Sequence, residues 1–395
     1  MSMNDLGIIQ DGAVAVQGDR IALVGSSEEV LGQVEGHARL IDASGKVVMP
    51  GFVDPHTHLV FAGARAAEFE MRLRGATYLE IMAAGGGIMN SVRATRSASL
   101  EELVTQSGER LDRMVAHGTT TAEVKTGYGL DTENEIKILQ AIRLLDESHP
   151  VDLVPTFLGA HAVPAEYEGR ADEYVRLVVQ EMLPAVKAAG PLAEGKPFFC
   201  DVFCEEGAFS REQSRRILAA AKDLGMGLKI HADEFTSLGG AALAAELGAV
   251  SADHLVCTPD EEVRLLAESG TVAVLLPGTP FGLGEAEYPR ARRMIELDVP
   301  VALATDLNPG TCYCEAMPFI MGLASRQMGM TPAEAIVAAT VNAAHAIAMG
   351  QEVGSLEVGK KADLVVIDIP DYRHLTYRFG TNLVHTVIKS GRVMT

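Results

Sequence analysis

Two imidazoles one residue apart close the apolar stretch "PGFVDPHTH" (residues 50–58), a spacing at which one strand can offer a metal ion two donors. Side chains two apart on a strand point the same way, so His56 and His58 can grip one ion. The pair alone is weak evidence, because two histidines also cap strands. It gains weight from His231 at the end of "GLKIHA", His254 at the end of "AVSADHL" and Asp306 at the end of "VPVALATD". Neutral imidazoles with a carboxylate suit zinc and similar divalent ions, and three or four protein donors plus water make a catalytic arrangement. Glu234, three residues after His231 in "HADE", adds a carboxyl suited to proton transfer. The other histidines lack this pattern. His117 precedes a strand, at the wrong end for chemistry; His345 falls in a helix; His37, His149, His374 and His385 fall in turns, loops or flanking segments. The "CYC" at 312–314 reads as ordinary reduced thiols.

What must position these residues is a repeating alternation. From residue 50 onward, short β-branched runs at 50–56, 118–127, 151–161, 198–205, 227–232, 249–255, 271–277 and 299–306 alternate with amphipathic stretches such as "SLEELVTQSGERLDRMVAHG" and "PDEEVRLLAESG" that stop at glycine. Eight such strands with intervening helices predict an α/β fold, a distorted (β/α)8 barrel spanning 50–354, with reactive groups at the C-terminal ends of its strands. The candidate donors then share one rim. Residues 1–49 and 355–395 read as hairpin strands and predict a small β-sandwich domain built from both termini.

The chain has 395 residues, 48% hydrophobic, enough for a large buried core. A formal charge of -20 with no Lys/Arg cluster argues against nucleic acid. No membrane-length apolar run or leader-like N-terminus is present, and five cysteines do not make a disulfide framework. A soluble, cytoplasmic protein acting on a small molecule is expected, with no membrane partner. "GGG" at 85–87 lacks a following lysine and reads as a flexible loop near the site rather than a phosphate cradle.

Taken together, "PGFVDPHTH", "HADE", "ATD" and the closing "GSLEVGKKADLVVID" resemble the amidohydrolase superfamily. Within it, "HLVFAGAR", "GGGI" with "SVRATR", "EVKTGYGLD", "LGAHAVP" and "TDLNPGT" are similar to the imidazolonepropionase family, whose members usually carry one more strand before "GIIQDGAVAV". The resemblance implies one zinc or iron ion per subunit, held by His56, His58, His231 and Asp306. It further implies that His254 contacts the attacking water rather than the ion, and that Glu234 is the acid/base. Arg65, Tyr128 and His161 would hold 4-imidazolone-5-propanoate, and Asn308, Gly310 and Thr311 would line the same pocket and contact the ring-opened N-formimino-L-glutamate. A homodimer is the family expectation.

Three other readings are weighed. A deaminase of a cyclic amidine or purine shares the histidine set and differs in its ring contacts. A hydantoinase-like metal pair needs a carboxylated lysine after the fourth strand; "FFCDVFCEE" has none, and Lys125 follows the second strand. A catalytically dead scaffold would have lost a donor, and none is lost.

Overall fold

A computed structural model describes residues 3–34, 38–77, 80–81, 85–190 and 195–394. The chain first forms an antiparallel hairpin, β1 (Gly12–Gln17) and β2 (Arg20–Ser26). It then enters a second sheet as β3 (Val47–Pro50) and passes directly into the barrel at Gly51. Gly51 N donates to Asp363 O at 3.0 Å, and Phe52 N to Gly118 O at 3.0 Å. Thr120 lies so close that a Cβ at residue 51 has no room, which accounts for the glycine in the opening motif.

Eight parallel strands follow: β4 (Phe52–Asp54), β5 (Thr119–Lys125), β6 (Asp152–Ala160), β7 (Phe199–Cys204), β8 (Gly227–Ala232), β9 (Ser251–His254), β10 (Val272–Leu275) and β11 (Val301–Leu303). They pair in sequence order from β4 to β11, so all eight expected strands are present within a few residues. Helices separate them, and their starts follow the sequence. Ser99 with Glu102, Ser210 with Gln213, and Thr331 with Glu334 form reciprocal capping boxes.

Beyond the regular ladders, backbone bonds at the donor residues close the ring. His58 N donates to Leu307 O at 2.9 Å and Asp306 N to His56 O at 3.1 Å. Just below, Asp54 accepts from Thr305 N at 3.1 Å and from Thr305 Oγ1 at 2.6 Å. The barrel is irregular elsewhere: pairing of β6 with β7 shifts register between Phe157 and Ala160, immediately before His161. Inside, Val53, Val154, Phe199, Val272 and Val274 pack against Ala343, Ala344 and Ala346 of the helix Val341–Ala346.

After the barrel, β12 (Leu364–Ile367), β13 (Val384–Lys389) and β14 (Arg392–Met394) complete a four-stranded antiparallel sheet with β3, in the order β14-β13-β12-β3. The β1–β2 hairpin joins it through Ile21 N to Lys360 O at 2.9 Å and a small core of Ile21, Ala362, Leu364 and Ile388. Segments from both sides of the barrel thus build the flanking β layers. Asp152, the first residue of β6, ties them to the barrel: its Oδ2 takes Lys389 Nζ at 2.6 Å and Lys361 Nζ at 2.7 Å, and Lys389 also meets Asp363 at 2.6 Å.

Burial pushes the Asp152 carboxyl up, but Lys389 and Lys361 outweigh that and hold it below its ordinary 3.8. A depressed carboxylate contributes stability that is complete above the unfolded-state value and is lost as pH falls through the folded one. Asp152→Asn is therefore expected to cost about 3 kcal/mol in urea unfolding at pH 7. The gap to the parent should close progressively below about pH 4; equal midpoints at pH 7, or an undiminished gap at pH 2, would contradict this.

Candidate active site

The C-terminal ends of β4, β8, β9 and β11 bring the expected donors together. Ligand atoms of His56, His58 and His231 lie within 4.8 Å of one another, as do those of His56, His254 and Asp306. Asp306 Oδ1 is 3.5 Å from His56 Nε2 and 3.6 Å from His58 Nε2. All five side chains are buried. Burial holds His56, His58 and His254 well below the ordinary imidazole value, so their rings are neutral and their lone pairs free. Burial also pushes Asp306 up to about 6.

The donor chemistry fits a divalent ion. Nε2 of His56 and Nε2 of His231 are buried without a hydrogen-bond partner among the described residues, which is costly unless something accepts their lone pairs. Carboxylates stand behind their other nitrogens: His56 Nδ1 is hydrogen-bonded to Asp253 Oδ2 at 2.6 Å, and His231 Nδ1 lies 3.0 Å from Asp201 Oδ2, an ion-pair contact without hydrogen-bond alignment. Asp306 (φ 54°) and His254 (φ 77°) adopt left-handed backbone conformations, each costing roughly 1–3 kcal/mol in a non-glycine residue. His56 O takes the Asp306 amide and Thr279 Oγ1 donates to the Asp306 carboxylate, so the surroundings hold that conformation.

Glu234 stands beside His254, with Oε2 3.6 Å from His254 Nε2. Burial, then Asp306 and Glu205, push its carboxyl well above the ordinary range, which favours the protonated form. Glu205 also fixes the turn that follows, accepting from Phe235 N at 2.9 Å and Thr236 N at 3.2 Å.

The other expected residues flank the cluster. The His161 ring stacks on His58 with centroids 4.8 Å apart, and Tyr128 stands 5.8 Å from His58 and 5.4 Å from His161. Burial and His231 push His161 down to about 3, and burial pushes the Tyr128 hydroxyl up, so both are neutral. Asn308 Oδ1 accepts from Gly310 N and Thr311 N, both at 2.8 Å, and its Nδ2 returns to Asp306 O at 2.7 Å. The Arg65 guanidinium packs where a Cβ at Gly310 would stand. Its Nε is 2.8 Å from Glu68 Oε2, and Glu68 also accepts from Gly87 N at 3.0 Å and Asn90 Nδ2 at 2.9 Å. The glycine loop thus abuts the site, as expected, with Gly87 tied to the carboxylate that holds Arg65.

Sequence reasoning missed the residues that do this holding. Glu68, Glu135, Asp201, Glu205 and Asp253 are all buried carboxylates. A signal existed for one: Asp201 interrupts the otherwise apolar "FFCDVFC". The histidines set aside stay apart from the cluster: His345 lies in its expected helix, His117 and His149 follow helix ends, His385 lies on β13, His374 starts a short helix in the C-terminal flanking segment, and His37 lies outside the described residues. Cys312 and Cys314 are free thiols that join neither donor group.

A model of the amidohydrolase family matches residues 47–394. An imidazolonepropionase of Herpetosiphon aurantiacus is 55% identical over 388 residues, covering 98% of this chain and 90% of the relative. One of Symbiobacterium thermophilum is 56% identical over 394 residues, covering 99% and 92%. Among solved structures, E. coli guanine deaminase matches with a TM-score of 0.75 at 16% identity, covering 98% of this chain and 92% of that one. A 5-methylcytosine deaminase from Klebsiella pneumoniae matches at 0.74 with 18% identity, covering 97% and 93%. Likeness at such identity speaks to the fold, an amidohydrolase barrel.

The turn presenting Tyr128 supplies a test. Glu135 Oε1 accepts from Gly129 N and Leu130 N, both at 2.8 Å, and Oε2 from Gly127 N at 3.1 Å. Glu135→Ala leaves three buried amides unpaired, at about 1–3 kcal/mol for each that water cannot reach. Amide exchange at 127–130 should rise and the urea midpoint should fall; unchanged exchange there would show that the turn holds itself.

Proposed function

This chain belongs to the amidohydrolase family and, within it, to the imidazolonepropionases, and on that premise we propose that it hydrolyses the cyclic amide C–N bond of 4-imidazolone-5-propanoate to N-formimino-L-glutamate in histidine degradation. The observation that carries the reading is the grouping of a guanidinium, a phenol and a neutral imidazole, Arg65, Tyr128 and His161, beside a buried His/Asp donor cluster. The family is metal-dependent. His56, His58, His231 and Asp306 would hold one divalent ion per subunit, zinc or iron. Such an ion supplies a hydroxide near neutral pH, lowering the pKa of a water from 15.7 to about 7, and polarises a carbonyl oxygen.

The chain's own groups do the rest. His254 and Asp306 orient the attacking water and take its proton. The hydroxyl adds to the ring carbonyl carbon, the C–N bond breaks, and the ring nitrogen leaves with a proton. Glu234 is the donor: its carboxyl, raised by burial and 3.6 Å from His254, favours the protonated form and can hand a proton to the leaving nitrogen. His161 assists at the carbonyl oxygen. Arg65 offers its planar fork to the propionate carboxylate, with the Tyr128 hydroxyl beside it. Distant acidic residues weaken that attraction little, being screened over about 8 Å. Asn308, Gly310 and Thr311 line the pocket and contact the opened product. A cytoplasmic location completes the proposal, supported by five free thiols. So does a homodimer, the commonest closed assembly.

Loss of imidazolone absorbance with the purified, metal-loaded protein tests the reaction; turnover of cytosine or guanine alone would reject it in favour of deamination. Arg65→Ala is expected to lower kcat/KM by about 2–5 kcal/mol of transition-state binding. An unchanged ratio would remove Arg65 from carboxylate recognition.

A further inference from the structure

Beneath the donor cluster, fully buried ionisable side chains crowd the barrel strands, among them Glu123 and Lys125 on β5, Asp201 on β7, Lys229 on β8 and Asp253 on β9, with Asp54 on β4 held by Thr305. None of them is used by the chemistry above. Lys125 Nζ lies 2.7 Å from Glu123 Oε1, 2.7 Å from Asp201 Oδ2 and 3.5 Å from Asp253 Oδ2. The last two oxygens are the ones that back the imidazoles, at 3.0 Å from His231 Nδ1 and 2.6 Å from His56 Nδ1. Each aspartate keeps its other oxygen on the framework: Asp201 Oδ1 takes Val202 N at 2.7 Å, and Asp253 Oδ1 takes Ser251 Oγ at 2.6 Å. Lys229 donates to Pro55 O at 3.1 Å and Ala346 O at 3.2 Å, and its ammonium stands farther off, 4.0 Å from Glu123 Oε1 and 3.9 Å from Asp253 Oδ2, without an ion pair to Asp201.

We propose that Lys125 is a positioning residue for the metal: one ammonium braces two carboxylates, and through them fixes the ring orientations of His56 and His231. This rests on the metal reading above. Two buried carboxylates without the cation between them repel and turn away, and each turn rotates an imidazole whose unpartnered nitrogen must meet the ion. Loss of such outer support costs 10- to 100-fold in metal affinity in metalloproteins generally.

Zinc affinity, measured by chelator competition on the metal-stripped protein, tests this with melting curves alongside. Lys125→Met keeps the bulk and removes the charge. Lys125→Met with Glu123→Gln removes a buried pair together, a change proteins often tolerate, and so guards against simple misfolding. Ser251→Ala deletes one hydroxyl bond to Asp253 and leaves every charge in place. The brace predicts a 10- to 100-fold rise in zinc Kd for folded Lys125 variants and a smaller rise for Ser251→Ala, whose melting should stay near the parent's. A lysine serving only to neutralise Glu123 predicts parental Kd in the double variant. Parental Kd in every folded variant, Ser251→Ala included, overturns the brace. A parent that binds no stoichiometric zinc or iron overturns the metal reading instead.

Discussion

Several lone pairs aimed at one point, out of reach of water, are an arrangement that a folded chain resists. His56, His58, His231 and His254 are buried together with Asp306, and Nε2 of both His56 and His231 lacks a partner among the described residues. Each such atom has given up hydration without receiving a hydrogen bond, a cost of order 1–3 kcal/mol. The rest of the barrel mouth reads as the means of sustaining that cost: carboxylates behind the rings, a hydroxyl on Asp306, and backbone bonds that leave Asp306 no route out of its left-handed conformation.

Buried carboxylates recur as the fasteners of this site. Glu68 joins Arg65 to the glycine loop, Glu135 gathers three amides under Tyr128, and Glu205 holds the turn after Glu234. A carboxylate suits that task because its two oxygens accept several N–H groups at once, and charge-assisted bonds are about twice as strong as neutral ones. The loops that carry Arg65, Tyr128 and Glu234 are thereby anchored to rigid elements.

Much of this was legible in the sequence, for identifiable reasons. Strand-end histidines announce themselves through the two-residue period of a strand and the eightfold alternation of runs, and both survived contact with the structure. Periodicity also hides things. Lys229 precedes His231 by two, and Ser251 precedes Asp253 by two, so each pair shares an inward face. That repeat was visible, but what a lysine meets across a barrel depends on strand order and stagger, which no local window contains. The position of Lys125 in the sequence suggests at most a carboxylated ligand, whereas in the barrel it is an ammonium between carboxylates. Glu68, Glu135 and Glu205 look like ordinary helix and loop acids until the backbone amides they serve are placed in space.

The seam between β4 and β11 has one more implication. Its stitches join residues 56 and 58 to 306 and 307, so the bonds that complete the cylinder lie at the candidate donor residues themselves. Slippage by a single position would turn each of those side chains to the opposite face. A newly made polypeptide that zipped up out of alignment would therefore have nowhere to lodge its ion, and capture of the ion would act as proofreading of the final closure.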